Sequence, residues 1–90
     1  MTISLSGQLI YSDTTAFAAI LKEVGDSKPK QCALSLRQLE HIDSSGLRMF
    51  FMLHDTCREN GAELRITQAT GQVKDMLTHC KFDMLVKIDA

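Results

Sequence analysis

Residues 31–58, QCALSLRQLEHIDSSGLRMFFMLHDTCR, hold a strand, a sharp break and a helix in succession. Leu34 and Leu36 alternate with Ser35 and Arg37, so Gln31 to Leu39 reads as a strand with one strongly apolar side. Asp43-Ser44-Ser45-Gly46 ends that alternation. From there the pattern is helical to about Arg58, and Asn60-Gly61 follows as a stop signal. At about 100° per residue, Leu47, Phe50, Phe51, His54 and Cys57 gather on one helix face. Arg48, Met52, Asp55 and Glu59 fall on the other, and Met49 leans outward.

The flanking segments repeat the alternation of strand and helix. Upstream, Ile3 and Leu5 alternate, Gly7 interrupts, and Leu9, Ile10 and Tyr11 resume, which predicts two short edge strands bent or turned at the glycine. Ser12 or Asp13 is placed to cap a helix whose apolar residues Phe17, Ile20, Leu21 and Val24 recur at i, i+3, i+4 and i+7. Gly25 supplies a stop, and Asp26 to Lys30, with the only proline, reads as a loop. Downstream, Glu63 to Thr67 is a strand; Val73, Met76, Leu77 and Cys80 mark a third helix; Met84, Val86 and Ile88 mark a last short strand. The expected order is β-β-α-β-α-β-α-β.

Strands joined through helices require parallel pairing for at least part of the sheet, because parallel neighbours need a long connection. The fold class is therefore α/β. Strands covered on both faces would read as unbroken apolar runs, whereas these are apolar on alternate residues only. We expect one domain over residues 1–90, with a mixed sheet of about four to five strands and helices mainly on one face.

Composition narrows the function. Ninety residues carry 10 Lys and Arg against 11 Asp and Glu, a net charge of −1 that provides no field for nucleic acid or anionic lipid. The longest apolar run, Met49 to Leu53, is far shorter than the roughly 20 residues of a membrane span, and the first residues lack the basic and apolar pattern of a secretion signal. Cys32, Cys57 and Cys80 are odd in number and set among apolar residues, which predicts reduced thiols filling the core and a cytoplasmic location. Their spacing with His54 and His79 forms no paired metal-ligand pattern, so no metal or cofactor is expected. Asp43-Ser44-Ser45-Gly46 has one glycine and no lysine, unlike a phosphate-binding loop, and no G-x-S-x-G elbow marks a serine nucleophile. The chain does not read as an enzyme.

What the loop does offer is two hydroxyls where the first amides of a helix lack intrahelical partners. Asp43 or Ser44 can serve as the cap, which is a purely structural use of the segment. Ser45, in the first turn, also fits a second use: a phosphate placed there by another protein gains from the positive helix end and adds close to two negative charges to its surroundings. Met49 and Met52, off the expected core face and beside Arg48, extend this region into a docking surface.

Leu39 to Arg48, L-x-H-I-D-S-S-G-L-R, resembles the strand, phosphorylation loop and helix start of the sulphate-transporter and anti-sigma-factor-antagonist (STAS) family, specifically its stand-alone bacterial antagonists. Ser6-Gly7-Gln8-Leu9 resembles the family's opening hairpin, and Gly71-Gln72-Val73 through Phe82-Asp83 its third helix and the approach to the last strand, so the likeness spans nearly the whole chain. The resemblance implies that Ser45 is the phosphate acceptor, with Ser44 its neighbour and Asp43 its preceding acid; joined to the reading of the helix above, it leads us to expect Asp43, Ser44, Gly46, Leu47, Arg48, Met49 and Met52 to meet the partner. It implies a serine kinase that is also an anti-sigma factor, a metal-dependent phosphatase that reverses the modification, and an unphosphorylated form that binds the kinase and frees the sigma factor. Ile10 departs from the family, where many antagonists carry an acid at that place. Two further readings are a switch acting on a non-sigma target such as a signalling enzyme, and a module that senses a small ligand or nucleotide. The active form is expected to be a monomer, since no long unprotected apolar strand is evident.

Overall fold

The computed structural model describes residues 1–89. Strands β1 (Thr2–Leu9), β2 (Gln31–Ile42), β3 (Glu63–Thr67) and β4 (Lys87–Asp89) alternate with helices α1 (Thr14–Ser27), α2 (Ser44–Glu59) and α3 (Gly71–His79). Short 3-10 turns lie at Tyr11–Asp13 and Phe82–Met84. The strands stand side by side in chain order, and each neighbouring pair is parallel. This is the α/β fold expected. Crossovers of one hand that always step in the same direction put every helix on the same side of the sheet. Accordingly Phe17, Val24, Phe50, Leu53, Val73 and Leu77 from the helices share one core with Leu34, Leu36, Leu64 and Ile66 from the strands. The opposite face carries Ser4, Ser35, Arg37 and Thr67, and on it Arg65 Nη2 pairs with Asp89 Oδ2 at 3.0 Å.

Several boundaries differ from the sequence expectation, each for a local reason. The opening hairpin is a single strand, β1, in which Gly7 takes φ 74° without reversing the chain. With no hairpin, the sheet has four strands and is parallel, rather than mixed, among the described residues. β2 continues to Ile42 instead of ending at Leu39. Its register against β1 slips twice, between the partners of Ser4 and Ser6 and again between those of Gly7 and Gln8. Each slip inserts one extra β2 residue, so core-facing positions run Cys32, Leu34, Leu36, then Leu39 and Ile42. The spacing changes from two to three, and simple alternation stops although the strand does not.

Helix α1 passes through Gly25 and ends at Lys28, which adopts φ 47° and donates its N–H to the Val24 carbonyl at 3.0 Å. Pro29 disfavours helical geometry in the residue before it, which fixes the stop there rather than at the glycine. Asp13 precedes α1 but its carboxylate does not cap that helix; Oδ2 accepts from the Ile10 N–H at 3.0 Å. Cys32 and Cys57 are buried as expected, and burial together with their mutual proximity pushes the Cys57 thiol up to about 12. Cys80 is exposed, because it follows the last turn of α3 instead of extending its apolar face. Met84, expected in the last strand, lies in a 3-10 turn and is exposed; the strand begins only at Lys87.

Candidate functional site

Parallel strands direct their carboxyl ends to a common rim, the place where α/β sheets habitually present their sites. β1 and β2 finish there side by side, with Leu9 opposite Ile42, and α2 starts immediately beyond. What seats α2 so close is Gly46. A Cβ on Gly46 would collide with the Leu9 carbonyl oxygen and stand 3.2 Å from Ile42 Cβ. The missing side chain therefore lets the first helical turn rest directly on the end of β1.

Asp43 resolves the choice of cap. Its backbone is extended, φ −101° and ψ −172°, and its Oδ1 accepts the Gly46 N–H at 2.8 Å, with Ser44 and Ser45 as the first two helical residues. The other carboxylate oxygen accepts the Tyr11 N–H at 3.2 Å, which ties the turn after β1 to the start of α2. The Gly46 amide, helped by the amides of Tyr11 and Ser45, holds the Asp43 carboxyl below its ordinary value of 3.8. A carboxyl with a lowered folded value contributes stability that is complete above the unfolded value and vanishes as pH falls through the folded one. Asp43→Asn should therefore differ most from wild type near neutral pH, and the gap should close on acidification below about pH 4. Denaturant melts across pH check this; a gap that stays constant would mean the carboxylate charge has no part in the cap.

A second fastening comes from α3. The Ile42 N–H donates to Gln72 Oε1 at 3.0 Å, while Gln72 Nε2 donates to the Ile42 carbonyl at 2.8 Å. β3 pairs with β2 only as far as Ser35, so the last residues of β2 have no strand on that side. The Gln72 amide substitutes for one. A polar residue in the first turn of a helix carries no sequence sign that it reaches across to a strand end, and reading the sequence did not find it.

Against this geometry the expected site residues separate into two groups. Ser44 and Arg48 are exposed, Met52 is 36% exposed, and Asp43, Ser45 and Leu47 are half-buried, so these six share one accessible surface at the start and along the outer side of α2. Gly46 and Met49 do not belong to it. Met49 is only 1% exposed and Gly46 is buried, so both are internal packing positions and neither side-chain position is available to a partner. The buried stripe runs Gly46, Met49, Phe50, Leu53 and Cys57, rotated from the one projected through Leu47 and Phe51. Close approach at Gly46 turns this side of α2 toward the sheet, and a glycine contributes nothing to a hydrophobic projection. One surface residue was missed. Tyr11 is 76% exposed beside Asp43, and the cap-forming residue types directly after it, Ser12 and Asp13, were the sign that it leaves the strand.

Comparison with known proteins agrees with this architecture. The family model described as STAS domain matches residues 1–90. A STAS-domain containing protein of Pseudomonas aeruginosa (strain UCBPP-PA14) is 25% identical over 88 residues, covering 98% of this chain and 86% of the relative. Among solved structures, a sulfate transporter family protein from Wolinella succinogenes superposes with a TM-score of 0.84 at 15% identity, over 98% of this chain and 74% of the other. A putative anti-sigma factor antagonist from Thermotoga maritima gives 0.78 at 21% identity, over 99% and 79% of the two chains. The anti-sigma factor antagonist SpoIIAA in its unphosphorylated form gives 0.72 at 13% identity, over 99% and 76%. These structural likenesses establish the fold. No helix among the described residues is long and apolar enough to cross a membrane.

Proposed function

The chain belongs to the STAS domain family, and from that membership we propose that it is an anti-sigma factor antagonist, a partner-switching regulator whose Ser45 hydroxyl is the phosphate acceptor. The observation that carries this reading is the position of Ser45: half-exposed, second in α2, on the rim of the sheet and beside a surface made by Ser44, Arg48, Met52 and Tyr11. The resemblance of the D-S-S-G loop to the family's phosphorylation loop supports it, as does structural similarity to two proteins described as antagonists.

In this reading the chain is a substrate and the partner kinase is the catalyst. The Ser45 oxygen forms a bond to the γ-phosphorus of ATP, the bond from that phosphorus to the β,γ-bridging oxygen breaks, ADP departs, and the hydroxyl proton passes to a base on the kinase. A metal-dependent phosphatase reverses the step with water, restoring the hydroxyl and releasing inorganic phosphate. Both reactions take place in the cytoplasm. The added charge, about −1.5 to −2, lies at the amino end of α2, where the helix tolerates it without rearrangement. Asp43 already places one negative charge there, so the modified surface becomes strongly anionic and must be desolvated before any partner can cover it. The unphosphorylated chain binds the kinase and liberates the sigma factor; the phosphorylated chain lets go.

Incubating the chain with the serine kinase of its own organism and Mg-ATP should attach one phosphate, located by fragmentation mass spectrometry on Ser45. Ser45→Ala should take up none. Label that persists in that variant would put the acceptor elsewhere and reject the assignment. On the flank of the surface, Met52→Ala should weaken the kinase complex by about 1 kcal/mol while leaving the melting temperature unchanged, as expected for an apolar contact made only with a partner. An unaltered affinity by calorimetry would remove the outer side of α2 from the interface.

A further inference from the structure

β1 is an edge strand with nothing beyond it among the described residues. The sequence led to the expectation of a monomer because no long unprotected apolar strand was evident; β1 is a continuous eight-residue strand with an open edge. We propose that the outer edge of β1 pairs antiparallel with β1 of a second copy of this chain, about a two-fold axis through Ser4, to form a weak symmetric dimer with one continuous sheet.

Three observations converge on a second copy as the occupant. Met1 to Ile10, MTISLSGQLI, has no charged side chain, and its one charge, the Met1 ammonium, is turned to the Gln31 carbonyl of β2 at 3.0 Å, whereas a protected edge ordinarily carries lysine or proline. Ile3 and Leu5 stand on the core side of the sheet yet remain only partly buried, while the corresponding residues of β2, Leu34 and Leu36, are fully buried. Their outer side is open to a further strand. The backbone, finally, has the right phase. The Met1 carbonyl accepts the Ala33 N–H at 2.8 Å, and alternation then turns Ile3 and Leu5 toward β2 and leaves the N–H and C=O groups of Thr2, Ser4 and Ser6 pointing outward.

An axis at Ser4 sets Ser4 opposite itself and Thr2 opposite Ser6 of the second copy, which are the outward residues on both strands and can exchange paired hydrogen bonds. Ile3 then faces Leu5 of the second copy in the closely spaced, non-hydrogen-bonded positions, an apolar pair repeated by symmetry. Met1 of the second copy falls opposite Gly7. Gly7 has no side chain and open space around it, and its chain neighbours Ser6 and Gln8 line, with Leu5, Leu9, Phe17 and Ile20, a groove of about 170 Å³ that the exposed Met1 side chain can enter. A strand pair this short buries less than a standard interface, so the expected dissociation constant is between about 10 µM and about 1 mM.

Sedimentation equilibrium of the 90-residue chain over that range should give a weight-average mass that climbs from monomer toward dimer. Hydrogen exchange at the Ser4 and Ser6 amides should slow as concentration rises. Ser4→Pro removes an outward donor that the monomer does not use, so it should fold with an unchanged melting temperature and remain monomeric. Ser4→Lys, which keeps the backbone donor and brings two ammonium groups together at the axis, should weaken association at least about tenfold. A wild-type chain that is monomeric at about 1 mM overturns the proposal. So does a dimer that persists undiminished in Ser4→Lys, because its interface then lies elsewhere.

Discussion

The Ser45→Asp chain should bind the serine kinase at least about 100-fold more weakly than wild type, a loss of about 2.7 kcal/mol, whereas Ser45→Ala should bind as wild type does. The asymmetry follows from the surface around the residue. Ser45 is half-buried beside Asp43, whose carboxylate is held ionised by the Gly46 and Tyr11 amides. A second negative group there is repelled by the first and loses water when a partner approaches, and neither cost applies to a methyl. True phosphate, with more charge and more oxygens than aspartate, should lower affinity further. Isothermal titration of the kinase with the three proteins and the phosphorylated chain gives the order; equal affinity for the alanine and phosphorylated forms would show that charge at Ser45 is not the switch.

Gly46→Ala should be the most damaging single-methyl addition in the chain, costing about 3 kcal/mol and lowering the melting temperature by roughly 12 °C or more. The added carbon meets the Leu9 carbonyl oxygen, which belongs to backbone fixed in the sheet and cannot swing aside as a side-chain end would. Helix propensity works the other way by about 1 kcal/mol, so an increase in stability would mean that α2 is free to lift from β1. Gly25→Ala provides the control. It lies inside α1 with no neighbour near its new carbon and no unusual φ, so it should raise stability by about 0.5 to 1 kcal/mol. In the sequence both glycines read as punctuation, Gly25 as a helix stop and Gly46 as part of the break before α2, yet both lie inside helices, and only their tertiary neighbours give the same substitution opposite signs.

That contrast explains how far the sequence could be read. Period alone located α1, α3 and β3, and the D-S-S-G break located the start of α2, because in each the local pattern and the tertiary environment agree. The end of β2 was illegible. Two bulges shift Leu39 and Ile42 onto the core side at intervals of three, which looks like the end of a strand to any rule that counts by two. Met49 was placed outward for a related reason: the face of α2 that lies against the sheet is set by Gly46, and hydrophobic projection gives a glycine no weight. Tyr11 and Gln72 joined the site through contacts between residues some 30 positions apart, which no window along the chain can contain.

The doubled grip of Gln72 on Ile42, set beside the Asp43 cap, means that Ser45, the proposed acceptor, is offered on a frame already locked from two directions. Many kinase targets are loose tails that mould themselves to the enzyme and surrender conformational freedom as they dock. Here that freedom is spent during folding, so the proposed recognition should proceed with little ordering of the target and leave the burden of adaptation to the enzyme. A short synthetic peptide copying the loop would lack the frame, and the kinase should treat it as a poor imitation of the folded surface.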